Sequence, residues 1–465
     1  MHEARCQFFP TALAALITGI LFCACGGCVQ VDATADFEAT ARIIRARTGA
    51  SGFSVSKAET PSPIENAGDT APELDREQAV ALALMNNPEF RARLEDVGIA
   101  RADLVAAGIP SNPLLTFSAR APTGPGLANL SGTILQTITE LLLIPSRERV
   151  ARARLEKTHL DVARAAVELA ASVREAWNMA VARRTSLTVI REEKAVLERA
   201  RSLVQDQVDA GLADVHDLNL AKAQVLDIQR QELVAEREAR DSLLSLRFLL
   251  GLARSPRGVS LRGALDTGTG TPSVPRLLEQ ALTTRLDVEI AILEARAADL
   301  DLERASGEAI PALSVGIDVE RPESPPSILG PAIEFELPVF GTSSPEIART
   351  RFAAVQARRR LQSTLDRVAR EVRTAALGLE SSQQMIRLYE ESLIPAAEAN
   401  VAAASRAYSA GTRDILILIE AERTLIRRRR GLIDAMLSLA QARSALLRAV
   451  GSPFNDQPSP GEQTR

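Results

Sequence analysis

One long helical excursion out and back, from Leu142 to Gly251, recurs from Leu337 to Gly451. In the first outward limb, apolar or small residues fall at Val162, Ala166, Leu169, Val173, Ala176 and Ala180, then at Leu187, Ile190, Leu197 and Val204. Alternating steps of four and three mark a coiled-coil seam. The second copy repeats the pattern at Leu361, Leu365, Val368, Val372, Ala375 and Leu379, then at Ile386, Tyr389 and Leu393. Both limbs turn at a glycine, in Asp209-Ala210-Gly211-Leu212-Ala213-Asp214 and in Ser409-Ala410-Gly411-Thr412-Arg413-Asp414. Gly211 and Gly411 are 200 residues apart, as are Gly251 and Gly451, so the chain is an internal duplication. Limbs of about 60 residues each way would extend on the order of 90 Å. A single chain cannot cover helices of that length, and copies packed side by side into a tube would.

Composition fits an elongated body better than the three globular domains that 465 residues would otherwise suggest. Aromatics make up 3% and the 46% hydrophobic share is mostly Ala, Leu and Val, which suits close helix packing rather than a thick core. A net charge of -4 gives no basic field for nucleic acid. All four cysteines, Cys6, Cys23, Cys25 and Cys28, lie at the start, so no thiol nucleophile, disulfide or cysteine metal site is expected in the body. His2, His159 and His216 are far apart in the sequence, and neither a metal site nor any other cofactor is expected.

Residues 1–28 read as an export signal, with Arg5 ahead of an apolar run from Ala12 to Phe22 that is too short for a permanent span. Cleavage before Cys28, or less favourably before Cys25, would leave an N-terminal cysteine for lipid attachment; simple cleavage without lipid is the alternative. Residues 29–72 are expected to be a flexible tether or peripheral wrap, with one short helix from Ala35 to Arg47. A helix then begins after Asp75, with Gln78 in the reciprocal capping position, and breaks at Asn87-Pro88. A second helix runs from Glu89 to Ala107.

Two strands follow, at 113–121 and 127–143, joined through Gly124-Pro125-Gly126. Leu115, Phe117, Ala119 and Ala121 alternate with polar residues in the first strand. In the second, Leu130, Ile134 and Ile138 oppose Asn129, Ser131, Thr133, Thr137 and Thr139. Pro145 is expected to close that strand before the long helices of 146–250. The second half repeats the plan, with helices from Val274 and Asp287, strands at 313–320 and 328–340, and helices over 345–450. The units are thus a first repeat at 73–251, a linker at 252–273, a second repeat at 274–453 and a disordered tail at 454–465.

Four strands with one apolar and one polar face cannot stand in lipid with open edges. Three copies would supply twelve strands, enough for an open barrel with a polar lining. The expected fold is therefore mainly α with a small membrane β-barrel and a long antiparallel coiled-coil tunnel.

These features resemble the outer membrane factor, or TolC-like, family of efflux proteins. The resemblance covers Leu74 to about Pro453. It is carried by Leu74-Asp75-Arg76-Glu77-Gln78-Ala79 through Asn87-Pro88-Glu89, by Ala107-Gly108-Ile109-Pro110-Ser111-Asn112-Pro113, and by Glu336-Leu337-Pro338-Val339-Phe340. Tyr408 to Asp414 followed by Ile419-Glu420-Ala421-Glu422-Arg423-Thr424-Leu425 completes it. It implies a homotrimer in the outer membrane that acts as a passive export duct for small molecules or metal cations. Its partners would be a periplasmic adaptor and an inner-membrane pump of the RND or ABC type; a type I secretion duct is the alternative.

By the same resemblance the glycine turns at Gly211 and Gly411 contact the adaptor and form the periplasmic gate. Arg413 falls at the position of a basic lock, with Asp214 and Asp217 as candidate partners. Glu420 falls at an inner acidic position, while the outer acidic position is Ile417, which would make an apolar constriction there. The opening Cys28-Val29-Gln30-Val31-Asp32, with Trp177 the only tryptophan, leans toward the heavy-metal efflux branch.

No catalytic constellation stands out, and no enzyme is expected. Glu192-Glu193 and Glu390-Glu391 read as solvated helix faces, and Gly124-Pro125-Gly126 leads into a strand, so it is no phosphate loop. The run Arg427-Arg428-Arg429-Arg430 reads as inter-helix pairing. A non-channel coiled-coil scaffold of the envelope is the reading from another class, and it leaves the amphipathic strands unexplained.

Overall fold

The computed structural model describes residues 30–50, 52–54, 73–121, 123–124, 126–256, 258–265, 270, 273–322, 324, 326–337, 343–410, 412–413 and 415–451. Cys25, Cys28 and Gly411 lie outside them. A short helix α1 (Thr34–Thr48) precedes the paired helices α2 (Arg76–Asn86) and α3 (Pro88–Ala107). Strands β2 (Leu114–Arg120) and β3 (Asn129–Thr137) lead into α4 (Ile138–Asp209), which returns as α5 (Val215–Leu249). The second half runs α6 (Val274–Thr284), α7 (Leu286–Gly307), β5 (Leu313–Arg321), β6 (Ile328–Phe335) and α8 (Ser344–Leu388). A π turn (Tyr389–Leu393) joins α8 to α9 (Ile394–Ser409), and α10 (Ile415–Val450) returns. Two-residue strands β1 (Glu73–Leu74) and β4 (Ser260–Leu261) pair in parallel.

The caps show why the helices begin and end where they do. Asp75 accepts from the Gln78 backbone N–H at 2.8 Å, while the Gln78 side chain accepts from Asp75 N–H at 3.0 Å, the reciprocal box read from the sequence. Asn87 caps α3 by accepting from Phe90 N–H at 3.0 Å. Gly211 and Gly251, at φ +74° and +71°, close their helices in the left-handed conformation. In both, the glycine and its successor donate back into the last turn (Leu212 to Gln207 at 2.8 Å, Leu252 to Arg247 at 2.9 Å).

Two expectations are corrected. The strand expected to reach Leu143 ends at Thr137, and α4 passes straight through Pro145. Proline has no N–H to offer the Leu141 carbonyl one turn back; close by, the Ser146 hydroxyl donates to the Leu143 carbonyl at 2.7 Å. The limbs are also unequal: α4 has 72 residues and α5 has 35. The remaining length of α4 is flanked by α2, α3 and α7 rather than by a longer return. Of the two readings of residues 29–72, tether or peripheral wrap, the described part is a wrap, and the expected short helix is there at Thr34–Thr48. Ile44 and Phe53 are fully buried in a cluster with Phe90, Trp177, Leu246 and Leu250. The expected linker is likewise fastened where it is described: β4 pairs with β1, and Arg184 donates to the Leu261 carbonyl at 2.6 Å.

The seam residues behave as their spacing demands. Val162, Ala166, Val173, Ala180, Ile190, Leu197 and Val204 are buried along α4, and Val368, Val372, Leu379 and Ile386 along the second copy. One interruption was not legible in the pattern. At the π turn the Ile394 N–H bonds the Tyr389 carbonyl, five residues back, immediately before Pro395. A Cβ on Gly431 of α10 would collide with the Tyr389 ring and hydroxyl, so this glycine makes room for the turn.

Candidate functional site: the sheet and the helical tip

The residues singled out from the sequence fall in two places: the four-stranded sheet and the helical tip where α4 meets α5 and α9 meets α10.

The sheet runs β2-β3-β5-β6, antiparallel throughout, so β2 and β6 are edges with one side unpaired. Cross-strand partners share a face. One row is Leu115, Ile134, Ile317 and Pro331, and the next is Phe117, Gly132, Val319 and Leu329. Phe117 and Leu329 on this apolar face are 69% and 71% exposed, which no soluble protomer would favour. The opposite face is polar and hydrogen-bonded. Thr133 donates to Asp318 at 2.6 Å, Asn129 to Glu320 at 2.9 Å, and the hydroxyls of Thr137 and Ser314 lie 3.0 Å apart. Strand alternation read from the sequence therefore becomes two chemically distinct faces. Among the described residues no helix is long and apolar enough to cross a membrane.

At the tip, a cluster of Ile190, Leu197, Val204, Leu218, Val225 and Ile228 also takes in Ile415 and Ile419, so both repeats share one core there. Gln207 donates to the Tyr408 hydroxyl at 2.8 Å across that junction. Gly211 lies at the end of the first turn with its surroundings open. Asp214 caps α5 by accepting from His216 N–H at 3.1 Å. Among the described residues neither Asp214 nor Asp217 pairs with Arg413 inside the protomer, which leaves the exposed Arg413 uncommitted. Ile417 and Glu420 both face outward from α10, Ile417 being 43% exposed.

The arginine run and the Glu192-Glu193 pair turn out to belong together. Arg427 donates to Glu420 on its own helix at 2.8 Å, Arg429 to Glu398 of α9 at 3.4 Å, and Arg430 to Gln231 of α5 at 2.9 Å. Glu192 is exposed, but Glu193 is buried, contrary to the solvated face expected of both. Burial raises the Glu193 pKa, and the charges of Arg430, Arg423 and Arg427 oppose that rise without cancelling it. A carboxylate inside the bundle facing an arginine cluster was legible only as four adjacent arginines with no visible partner.

A family model described as outer membrane efflux protein matches residues 79–252 and 277–452. Over 278 residues the chain is 24% identical to outer membrane protein TolC of Vibrio cholerae, a match spanning 56% of this chain and 63% of that one, under two thirds of its length. It is 23% identical to the pyoverdine export outer membrane protein OpmQ of Pseudomonas putida, over 84% of this chain and 88% of that one. The crystal structure of the CmeC outer membrane channel of Campylobacter jejuni superposes with a TM-score of 0.68 at 14% identity, covering 87% of this chain and 93% of that one. With the family model matched to both repeats, the chain belongs to the outer membrane efflux protein family.

Proposed function

We propose that this protein is the outer-membrane export duct of a tripartite efflux system, formed by three copies. The observation that carries the reading is the sheet: four strands with an apolar and a hydrogen-bonded polar face, and two unpaired edges. Unpaired backbone groups are not tolerated in hydrocarbon. Edge-to-edge closure with two further copies satisfies β2 and β6 and yields twelve strands, apolar toward lipid and polar toward water. The long helices continue the passage into the periplasm.

The duct is passive, and the energy comes from an inner-membrane RND or ABC-type pump. A periplasmic adaptor engages the turns at Gly211 and Gly411. Gating falls to the face of Arg413, Ile417 and Glu420, with Asp214 and Asp217 of a neighbouring copy within the same ring of turns. A lipid on Cys28, or on Cys25, anchors the N-terminus. The duct needs no cofactor and catalyses no reaction. Small molecules and heavy-metal cations are both cargo that such a passage could admit.

The test is single-channel conductance of the purified protein in planar bilayers, with chemical cross-linking in detergent to count copies. Stepwise conductance from a cross-linked trimer supports the reading. A folded protein that cross-links only as monomer and never conducts would sink it.

A further inference from the structure

We propose that the periplasmic end of this passage favours anions, and that its cargo is accordingly a negatively charged solute. The inference rests on the duct reading above and on the open face of α10 lining the passage.

A helix turns 100° per residue, which places Ile415, Ile419, Ile426 and Ile433 on one side of α10; all four are buried. The opposite side carries Ile417, Glu420, Thr424, Arg427 and Arg428. On it the single carboxylate is outnumbered. Arg427 holds Glu420 at 2.8 Å, and Arg423, on the flank, lies 3.5 Å from its other oxygen. Arg428, one turn-face along, makes no hydrogen bond or ion pair among the described residues. Arg413, also exposed, shares the ring of turns with Asp214 and Asp217 and adds no net positive charge there.

Of the other acids near this face, the exposed Asp434 lies a turn beyond Arg430, and Asp214 and Asp217 belong to the turn below, so the positive excess is that of the stretch from Glu420 to Arg428. Glu193 is buried behind α10, on the α4 side. Asp227 is held by Arg230 at 2.9 Å, and Glu398 by Arg429 at 3.4 Å on the flank toward α9. The excess extends beyond the tip: α10 carries seven arginines against three acids and α8 nine against four, in a chain whose net charge is -4.

Exposed pairs such as Glu420 and Arg427 add little stability. Their consequence lies in the sign of the field. Rings of acidic side chains select cations and rings of arginine select anions, and a narrow passage with low-dielectric walls focuses the potential of such rings. A Glu420 ring alone would attract cations. Clamped by Arg423 and Arg427 and followed one helical step later by Arg428, it becomes a minor part of a positive collar. A bare metal cation is then the disfavoured cargo, and a carboxylate- or phosphate-bearing solute the favoured one.

The experiment is the reversal potential of the full-length purified protein in a planar bilayer under a potassium chloride gradient. Wild type is expected to reverse toward the chloride equilibrium potential. The double variant Arg423→Gln/Arg427→Gln should shift toward potassium, and Glu420→Gln further toward chloride. All cysteines lie within the first 28 residues, so Arg427→Cys adds a lone thiol to the body. Its modification by an anionic thiosulfonate should move selectivity toward potassium. Potassium preference in wild type, or selectivity indifferent to both arginine changes and to the thiol reagent, overturns the inference while leaving the duct intact. Absence of conductance from every folded variant counts against the duct itself, and the inference falls with it.

Discussion

The side chain of Asn87 donates to the backbone carbonyl of Leu249 at 3.0 Å, tying the cap of α3 to the end of the return helix α5. The second repeat builds the same tie from different chemistry: Arg285, ahead of α7, donates to the Ala449 carbonyl at 3.0 Å near the end of α10. Last-turn carbonyls have no intrahelical partner, and at this level both would otherwise be buried. The duplication has conserved a place for a donor rather than a residue.

Asn87→Ala removes a helix cap and leaves the Leu249 carbonyl without its partner. The expected loss is about 1–3 kcal/mol of stability. Denaturant unfolding followed by circular dichroism in detergent measures it. An unchanged midpoint would show that water replaces the side chain at this junction.

Arg285 also pairs with Asp287 at 2.8 Å and with Glu371 at 2.7 Å. Burial would raise the Asp287 pKa, but the hydrogen bonds and charge of Arg285, with Arg367 beyond, outweigh it and the net shift is downward. A carboxyl depressed in the folded state stabilises above its unfolded pKa, near 4, and loses that contribution as pH falls through the folded value. Arg285→Gln should cost about 3 kcal/mol at neutral pH, the order expected when one partner of a mostly buried ion pair is removed. It should also flatten the loss of stability below about pH 4. Parallel acid profiles for wild type and variant would refute the assignment.

His159 of α4 shares a 2.8 Å hydrogen bond with Thr40 of α1, and its other ring nitrogen lies 3.5 Å from Asp36, which Arg101 also approaches at 3.6 Å. Burial lowers the His159 pKa, against the opposing pull of Asp36 and Glu156. The folded state therefore binds its proton less readily than the unfolded one. Stability gained from this contact is present above about pH 6.5 and declines as pH falls through the depressed value. Hydrogen-exchange protection factors in α1, corrected for the intrinsic fall of exchange with acidity, should decrease between neutral and mildly acid pH, and His159→Gln should remove that decrease.

Gly211 and Gly251 share a left-handed conformation but differ in their surroundings. A Cβ on Gly211 meets open space, whereas one on Gly251 would collide with the Asn86 carbonyl. Gly211→Ala should cost about 1 kcal/mol, the conformational penalty alone. Gly251→Ala should cost clearly more, because backbone at the α2–α3 junction must also shift. Equal thermal midpoints for the two variants would contradict this.

The duplication, the seams, the Asp75 capping box and the alternation of the strands are written in the order of residues along the chain. Each of those depends on period and on residues within a few positions, so the Asp75 cap, the break at Asn87-Pro88 and the Gly211 turn could be placed without knowing their neighbours. The tertiary structure alone decided which long-range partners meet. Glu193 and Glu192 are adjacent in the chain and share a composition, yet only Glu193 points into the bundle toward Arg423, Arg427 and Arg430 of a helix more than 200 residues away. The π turn at Tyr389 likewise depends on the space left by Gly431 on another helix. Docking of α1 depends on buried residues such as Ile44 and Phe53, which read as a few apolar positions in a polar tether. Local propensity is written in neighbouring residues, whereas burial and charge pairing are properties of surfaces that the fold alone brings together.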